Sequence, residues 1–138
     1  MSVILNRVER MNPLTKVKKW YAVLRTIEQT KESMIAKQIS EETTLNRKEA
    51  EMAMSQLEKV LISNLMASRS VQLGDWGSFY LTCNSEGFNR REDVTANAVK
   101  KLNIRFVAGK ALRNALKEAS FVFAEDLVTK QATEDEKK

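Results

Sequence analysis

The 138-residue chain has no histidine, one cysteine (Cys83), one proline (Pro13) and four glycines. Each scarcity excludes something. Without histidine, the commonest general base and the commonest metal ligand are both missing. With one cysteine, neither an intrachain disulfide nor a thiolate zinc cluster can form. No apolar run reaches the roughly 18 residues needed to cross a bilayer, and the opening MSVILNRVERMN gains charge too early for a secretory signal. The carboxylates are scattered with no pair that the sequence places in a cleft. AGKA at 108–111 lacks the Gly-x4-Gly-Lys-Ser/Thr pattern of a phosphate loop. The expectation is a cytoplasmic protein that is not an enzyme, with no cofactor, no metal, no small-molecule substrate and no membrane association.

What is present suits a globular chain: 43% hydrophobic and 30% charged residues, in a length that predicts one folding unit with extensions. The net charge of +5 is unevenly spread. Residues 117–138 hold four basic and six acidic side chains, leaving a body of 19 basic and 12 acidic groups, net +7. Such a body gathers near a polyanion by counterion release, and a mildly acidic tail is free to compete for the same surface.

Along the chain the hydrophobic period changes several times. SVILNRVER reads as a strand, Asn12-Pro13 as a turn, and WYAVLRTI as a second extended segment, together an edge hairpin able to lengthen a sheet. Met34, Ile35, Gln38 and Ile39 predict a helix of about three turns, with Thr30 or Lys31 near its start and Thr43-Thr44 at its end. Asn46 with Glu49 resembles a capping box, and Ala50, Ala53, Met54, Leu57, Val60, Leu61 and Leu65 give the stripe of a longer helix. After Ser68 the period becomes two: Val71, Leu73, a GDWG turn, Phe79 and Leu81. Residues 84–95 are polar and read as an exposed loop or ribbon. A strand returns at 99–107, with Leu102, Ile104 and Phe106 on one face and Lys101, Asn103 and Arg105 on the other. Gly109 opens a short last helix, KALRNALKEA. The order is α+β, divided as a β-strand extension (1–29), a central domain (30–120) and a polar acidic tail expected to fray (121–138).

Two helices, a GDWGSF hairpin, a polar ribbon and FVAGKAL, in that order over about residues 31–118, resemble the histone-like HU/IHF family of bacterial DNA-binding proteins. The strand-forming extension is similar to the HU-related branch of Bacteroides-type bacteria. The resemblance implies an intertwined dimer, a homodimer or a heterodimer with a relative, whose β-ribbon arms reach around the minor groove of double-stranded DNA. It implies nucleoid association and bending with little sequence preference. Lys110, Arg113 and Lys117 match basic positions around the final helix, Ser78 the polar residue of the hairpin, and Arg105 precedes Phe106 on the returning strand.

The chain also departs from the family. Residues 84–98 contain no proline, so the family's wedge has no counterpart here, and the ribbon from 84 to 106 is only net +2. Ala108 replaces the proline of F-x-P-G-K, leaving Gly109 for an unusual backbone conformation.

Several residues admit two readings. Phe88 with Asn89, Arg90 and Arg91 is either a tip that enters a groove or a solvated loop with one stray aromatic. Lys100, Lys101 and Arg105 form a shared basic surface or an ordinary wet sheet face. Trp76 packs under the hairpin or stacks on a partner. Trp20 and Tyr21 belong to a core, a protein-binding edge or a longer dimer interface. Cys83 reads as a structural thiol and the methionines as helix-face fillers. The rival to a DNA binder is the same fold serving as a protein-interaction module. A helix-turn-helix regulator built on 31–65 fits less well, since its second helix is too long and too regularly amphipathic.

Overall fold

The computed structural model describes residues 2–128 and 136. The chain forms two compact units where its length predicts one: residues 31–116, and the residues up to Thr30 together with those from Lys117 onward.

In the second of these, β1 (Ser2–Met11) and β2 (Lys18–Leu24) form the expected antiparallel hairpin. Its turn is closed locally. The Asn12 Oδ1 accepts from the Leu14 amide at 2.9 Å, and the Asn12 amide donates to the Val17 carbonyl at 3.0 Å. An asparagine that satisfies its own turn in this way is why the sequence signal at Asn12-Pro13 was readable. The hairpin does not lengthen the other sheet, as the sequence suggested. Its third strand is β6 (Ser120–Phe123), parallel to β1 with Val3 opposite Phe121 and Leu5 opposite Phe123, so the order is β2-β1-β6. The tail expected from residue 121 therefore starts inside a strand, because SFVF carries the aromatic and β-branched residues that fit a pleated surface. Two of its acids are also engaged: Glu125 and Asp126 lie 3.1 and 3.9 Å from the Arg7 guanidinium, which sits 3.8 Å over the Phe123 ring. Residues 129–135, 137 and 138 of the expected tail lie outside the described residues.

The other unit opens with α1 (Glu32–Glu42), packed on α2 (Arg47–Met66). Asn46 and Glu49 form the capping box in both directions, at 2.9 and 3.0 Å. Of the α2 stripe only Ala50 and Leu65 are buried, while Leu57 and Val60 stay exposed. Met34, Met52 and Met66 are exposed as well, so these methionines fill no gap within the single chain.

A second sheet follows, in the order β3-β4-β5: β3 (Val71–Leu73), β4 (Gly77–Ser85) and β5 (Val99–Ala108). A 3-10 turn at Gly74–Trp76 links the first two, entered through Gly74 at φ 60, a left-handed value that suits glycine. The third helix is α3 (Lys110–Lys117), and residues 124–128 form a further helical turn where the sequence predicts a fraying tail.

The GDWGSF and FVAGKAL signatures meet in one joint. The Gly109 amide donates to the Trp76 carbonyl at 2.9 Å, and Trp76, Phe79 and Phe106 form an aromatic trio with ring centroids 5.0 to 6.2 Å apart. Trp76 thus packs beside the hairpin with its outer side in solvent. Gly109 is not in left-handed backbone, so what it supplies is space: a Cβ there would run into the Asp75 carbonyl and the Gly77 amide. Backbone atoms cannot rotate aside. Gly109→Ala is expected to destabilise the fold by about 2 kcal/mol or more in urea unfolding, whereas Gly87→Ala, with open space around it, should stay within about 0.5 kcal/mol.

Candidate nucleic-acid interface

The β4–β5 ribbon has two chemically different faces, fixed by register. Phe79 stands opposite Phe106, Leu81 opposite Ile104 and Cys83 opposite Leu102, so these six side chains share one face. Tyr80 opposite Arg105, Thr82 opposite Asn103 and Asn84 opposite Lys101 form the other. On this polar face the Asn103 Nδ2 donates to the Asn84 Oδ1 at 3.1 Å, a diagonal link along the ribbon. Ser78, opposite Val107, lies at the base of the same face.

Lys101 and Arg105 are therefore brought together, as alternation predicted. Lys100 is not. The register runs from Asn84–Lys101 to Ser85–Val99, so Lys100 is the extra residue of a β-bulge, and its Nζ lies 3.5 Å from a Glu86 carboxylate oxygen. Strict alternation would put Lys100 on the apolar face beside Leu102, so the expected surface of three cations does not follow from period two; the bulge, which sets two residues against one, takes Lys100 out of the pairing instead. The polar face also includes Tyr80 and Thr82, whose signal lies in the alternation of SFYLTCN, and Asn103, which the alternation of 99–107 sets beside Lys101 and Arg105.

Beyond Ser85 the ribbon does not continue as paired strands. The Glu86 amide donates to the Ala98 carbonyl at 3.1 Å, and two 3-10 turns, Arg91–Asp93 and Ala96–Ala98, fold the end into a knob in which Ala98 is only 3% exposed. Phe88, Asn89, Arg90 and Arg91 are all exposed there. Residues 86–98 carry two basic and three acidic side chains, net −1, so the ribbon's positive charge sits on its stem. Lys110, Arg113 and Lys117 are exposed on α3, spaced three and four residues apart and hence on one side of the helix. Among the described residues no cluster of His, Cys, Asp or Glu is arranged to hold a metal, and no helix is long and apolar enough to cross a membrane.

A family model for an HU domain fused to wHTH, Ig, or Glycine-rich motif matches residues 1–122. The chain belongs to the HU-HIG family. No curated protein matches it. Among solved structures it is similar to a Bacteroides vulgatus ATCC 8482 protein described as a candidate bacterial DNA-binding protein, with a TM-score of 0.64 and 16% identity over 90% of this chain and 49% of the other. The chain thus spans about half the length of that protein. It is also similar to HU from Anabaena, solved as a cocrystal with DNA, at TM-score 0.51 and 19% identity over 64% of this chain and 99% of that one. Identities this low establish a shared fold. That HU-HIG match includes the β1–β2 hairpin and all but the last residue of β6, so the strand extension lies within the family's pattern.

Proposed function

We propose that this HU-HIG chain is an architectural DNA-binding protein of low sequence preference, working in the nucleoid as an intertwined homodimer. One observation carries the reading: the two-faced ribbon. Leu102, Ile104 and Phe106 are 56%, 60% and 43% exposed in the single chain, an apolar face that calls for a second copy. The opposite face offers Tyr80, Ser78, Lys101 and Arg105, the residue types that hold phosphates and sugars. Lys110, Arg113 and Lys117 on α3 add phosphate contacts. The Anabaena protein of like fold was crystallised with DNA, which supports the same partner here.

What supports Phe88 as a side chain inserted between base steps is its exposure at the ribbon's end, with Asn89, Arg90 and Arg91 beside it for the backbone. The knob's net charge of −1 favours the second reading, in which the arm end docks a protein. The test is fluorescence anisotropy of a labelled duplex at several salt concentrations, alongside a nicked duplex of equal length. Affinity should fall linearly with log salt and be higher on the flexible nicked duplex. Absence of binding at low salt would leave the protein-docking reading. Phe88→Ser should reduce the bend angle, measured by energy transfer between end labels, more than it reduces affinity; an unaltered bend would remove the wedge.

A further inference from the structure

The β1–β2 hairpin concentrates charge that the ribbon does not use. From Arg10 to Arg25 the chain holds five basic residues (Arg10, Lys16, Lys18, Lys19 and Arg25) and no acidic one. That equals the net charge of the whole protein. The register sets Arg10 directly opposite Lys19, so the two cations share a face. Like charges so placed weaken strand pairing. Among the described residues, Arg10, Lys16, Lys18 and Lys19 make no ion pair. Lys16 also occupies left-handed backbone at φ 57, where glycine would be less strained. Fold stability gives no reason for this arrangement, and an anionic ligand does.

Tyr21 belongs to the same face, opposite Val8, and is 48% exposed. With Lys19 it lines a recess of about 320 Å³ whose other walls are Asn12, Thr15 and Val17. An exposed ring flanked by cations over a small recess is the arrangement on which a base stacks while its phosphates are neutralised. Trp20 stands opposite Glu9 on the other face and takes no part. We infer that the Arg10–Lys19–Tyr21 face binds single-stranded nucleic acid, with one base stacked on Tyr21 and phosphates held by Arg10, Lys16 and Lys19.

Duplex DNA would satisfy the cations but has no free base face for the ring. A membrane-facing patch would set its large apolar anchors beside the cations, whereas Arg10 and Lys19 share their face with Tyr21, and Trp20 and Leu24 lie on the opposite face with Glu9 and a single hairpin-turn cation, Lys18. The inference concerns the unit outside residues 31–116 and does not rest on the duplex reading.

The test titrates the full chain against a labelled oligo-dT of about 15 nucleotides, with oligo-rU in parallel to tell DNA from RNA. Tyr21→Ser should weaken binding by about tenfold, while Tyr21→Phe should retain it. Arg10→Ser with Lys19→Ser should lower the salt slope by about 1.4, at roughly 0.7 per phosphate on a single strand. Circular dichroism of each variant, with Tyr21→Phe as the folded reference, separates lost contacts from lost structure. Unchanged oligonucleotide affinity in folded Tyr21→Ser and Arg10→Ser/Lys19→Ser proteins overturns the inference, whatever the duplex does. So does loss of binding to phosphatidylglycerol vesicles in the same variants without loss of binding to the strand. Failure of the chain to bind any duplex overturns the earlier reading and leaves this one standing.

Discussion

Ile104→Asp is expected to abolish the folded dimer. In the single chain this side chain is exposed in the middle of the ribbon's apolar face, between Leu102 and Phe106 and opposite Leu81. If that face met only water, an aspartate there would cost within about 0.5 kcal/mol, as surface substitutions usually do. If a second copy covers it, a carboxylate enters an apolar contact without a partner, once from each chain. Burial of an unpaired charge is among the few mechanisms that cost more than about 4 kcal/mol. An intertwined dimer of this kind need have no stable folded monomer, so dissociation and unfolding should coincide. Sedimentation velocity and circular dichroism at matched concentrations would read both. Asn103→Asp, one residue away on the polar face, should leave the mass unchanged. An Ile104→Asp protein with native mass and native spectrum would remove the dimer and with it the intertwined architecture.

The same exposed face explains how far the sequence could be read. Signals local in the chain were legible: the Asn12 turn, the Asn46–Glu49 box and the alternation of β4 and β5 all depend on neighbours within a few residues. The partner of β1 was not. Ser2 and Ser120 face each other across 118 positions, with their hydroxyls 2.8 Å apart, and no period within a segment announces so distant a parallel pairing. A hairpin is therefore legible in the sequence, while the sheet it joins is not. The bulge at Lys100 leaves a trace, since the adjacent Lys100 and Lys101 break the apolar-polar alternation, but that break alone does not tell a bulge from the end of a strand. Gly109 illustrates a third limit: a glycine kept for its dihedral and one kept for close approach look alike in sequence. Only the position of Asp75 tells them apart.

Lys110→Ala with Arg113→Ala should weaken duplex binding by about 60-fold at 0.1 M salt, nearly equally for every sequence. The magnitude follows from counterion release. Each phosphate neutralised on B-DNA contributes about 0.9 to the slope of log affinity against log salt, so two lost contacts lower the slope by about 1.8. Extrapolated to 1 M salt, where that contribution vanishes, the variant and the parent chain should converge. The two side chains are exposed in the first turns of α3, next to the Gly109–Trp76 joint that fixes the start of the helix. Their geometry is thus set by backbone rather than by flexible loop. The positive end of the helix dipole lies on the same side. Lost net charge alone must be separated from lost contact, and Lys48→Ala with Lys59→Ala does this: both are exposed on α2, and the pair removes the same two charges. A phosphate-holding α3 requires the first pair to flatten the salt dependence and the second to leave it nearly unchanged. Equal losses in the two variants would mean that the chain is drawn to DNA by its overall field, with α3 making no contact of its own.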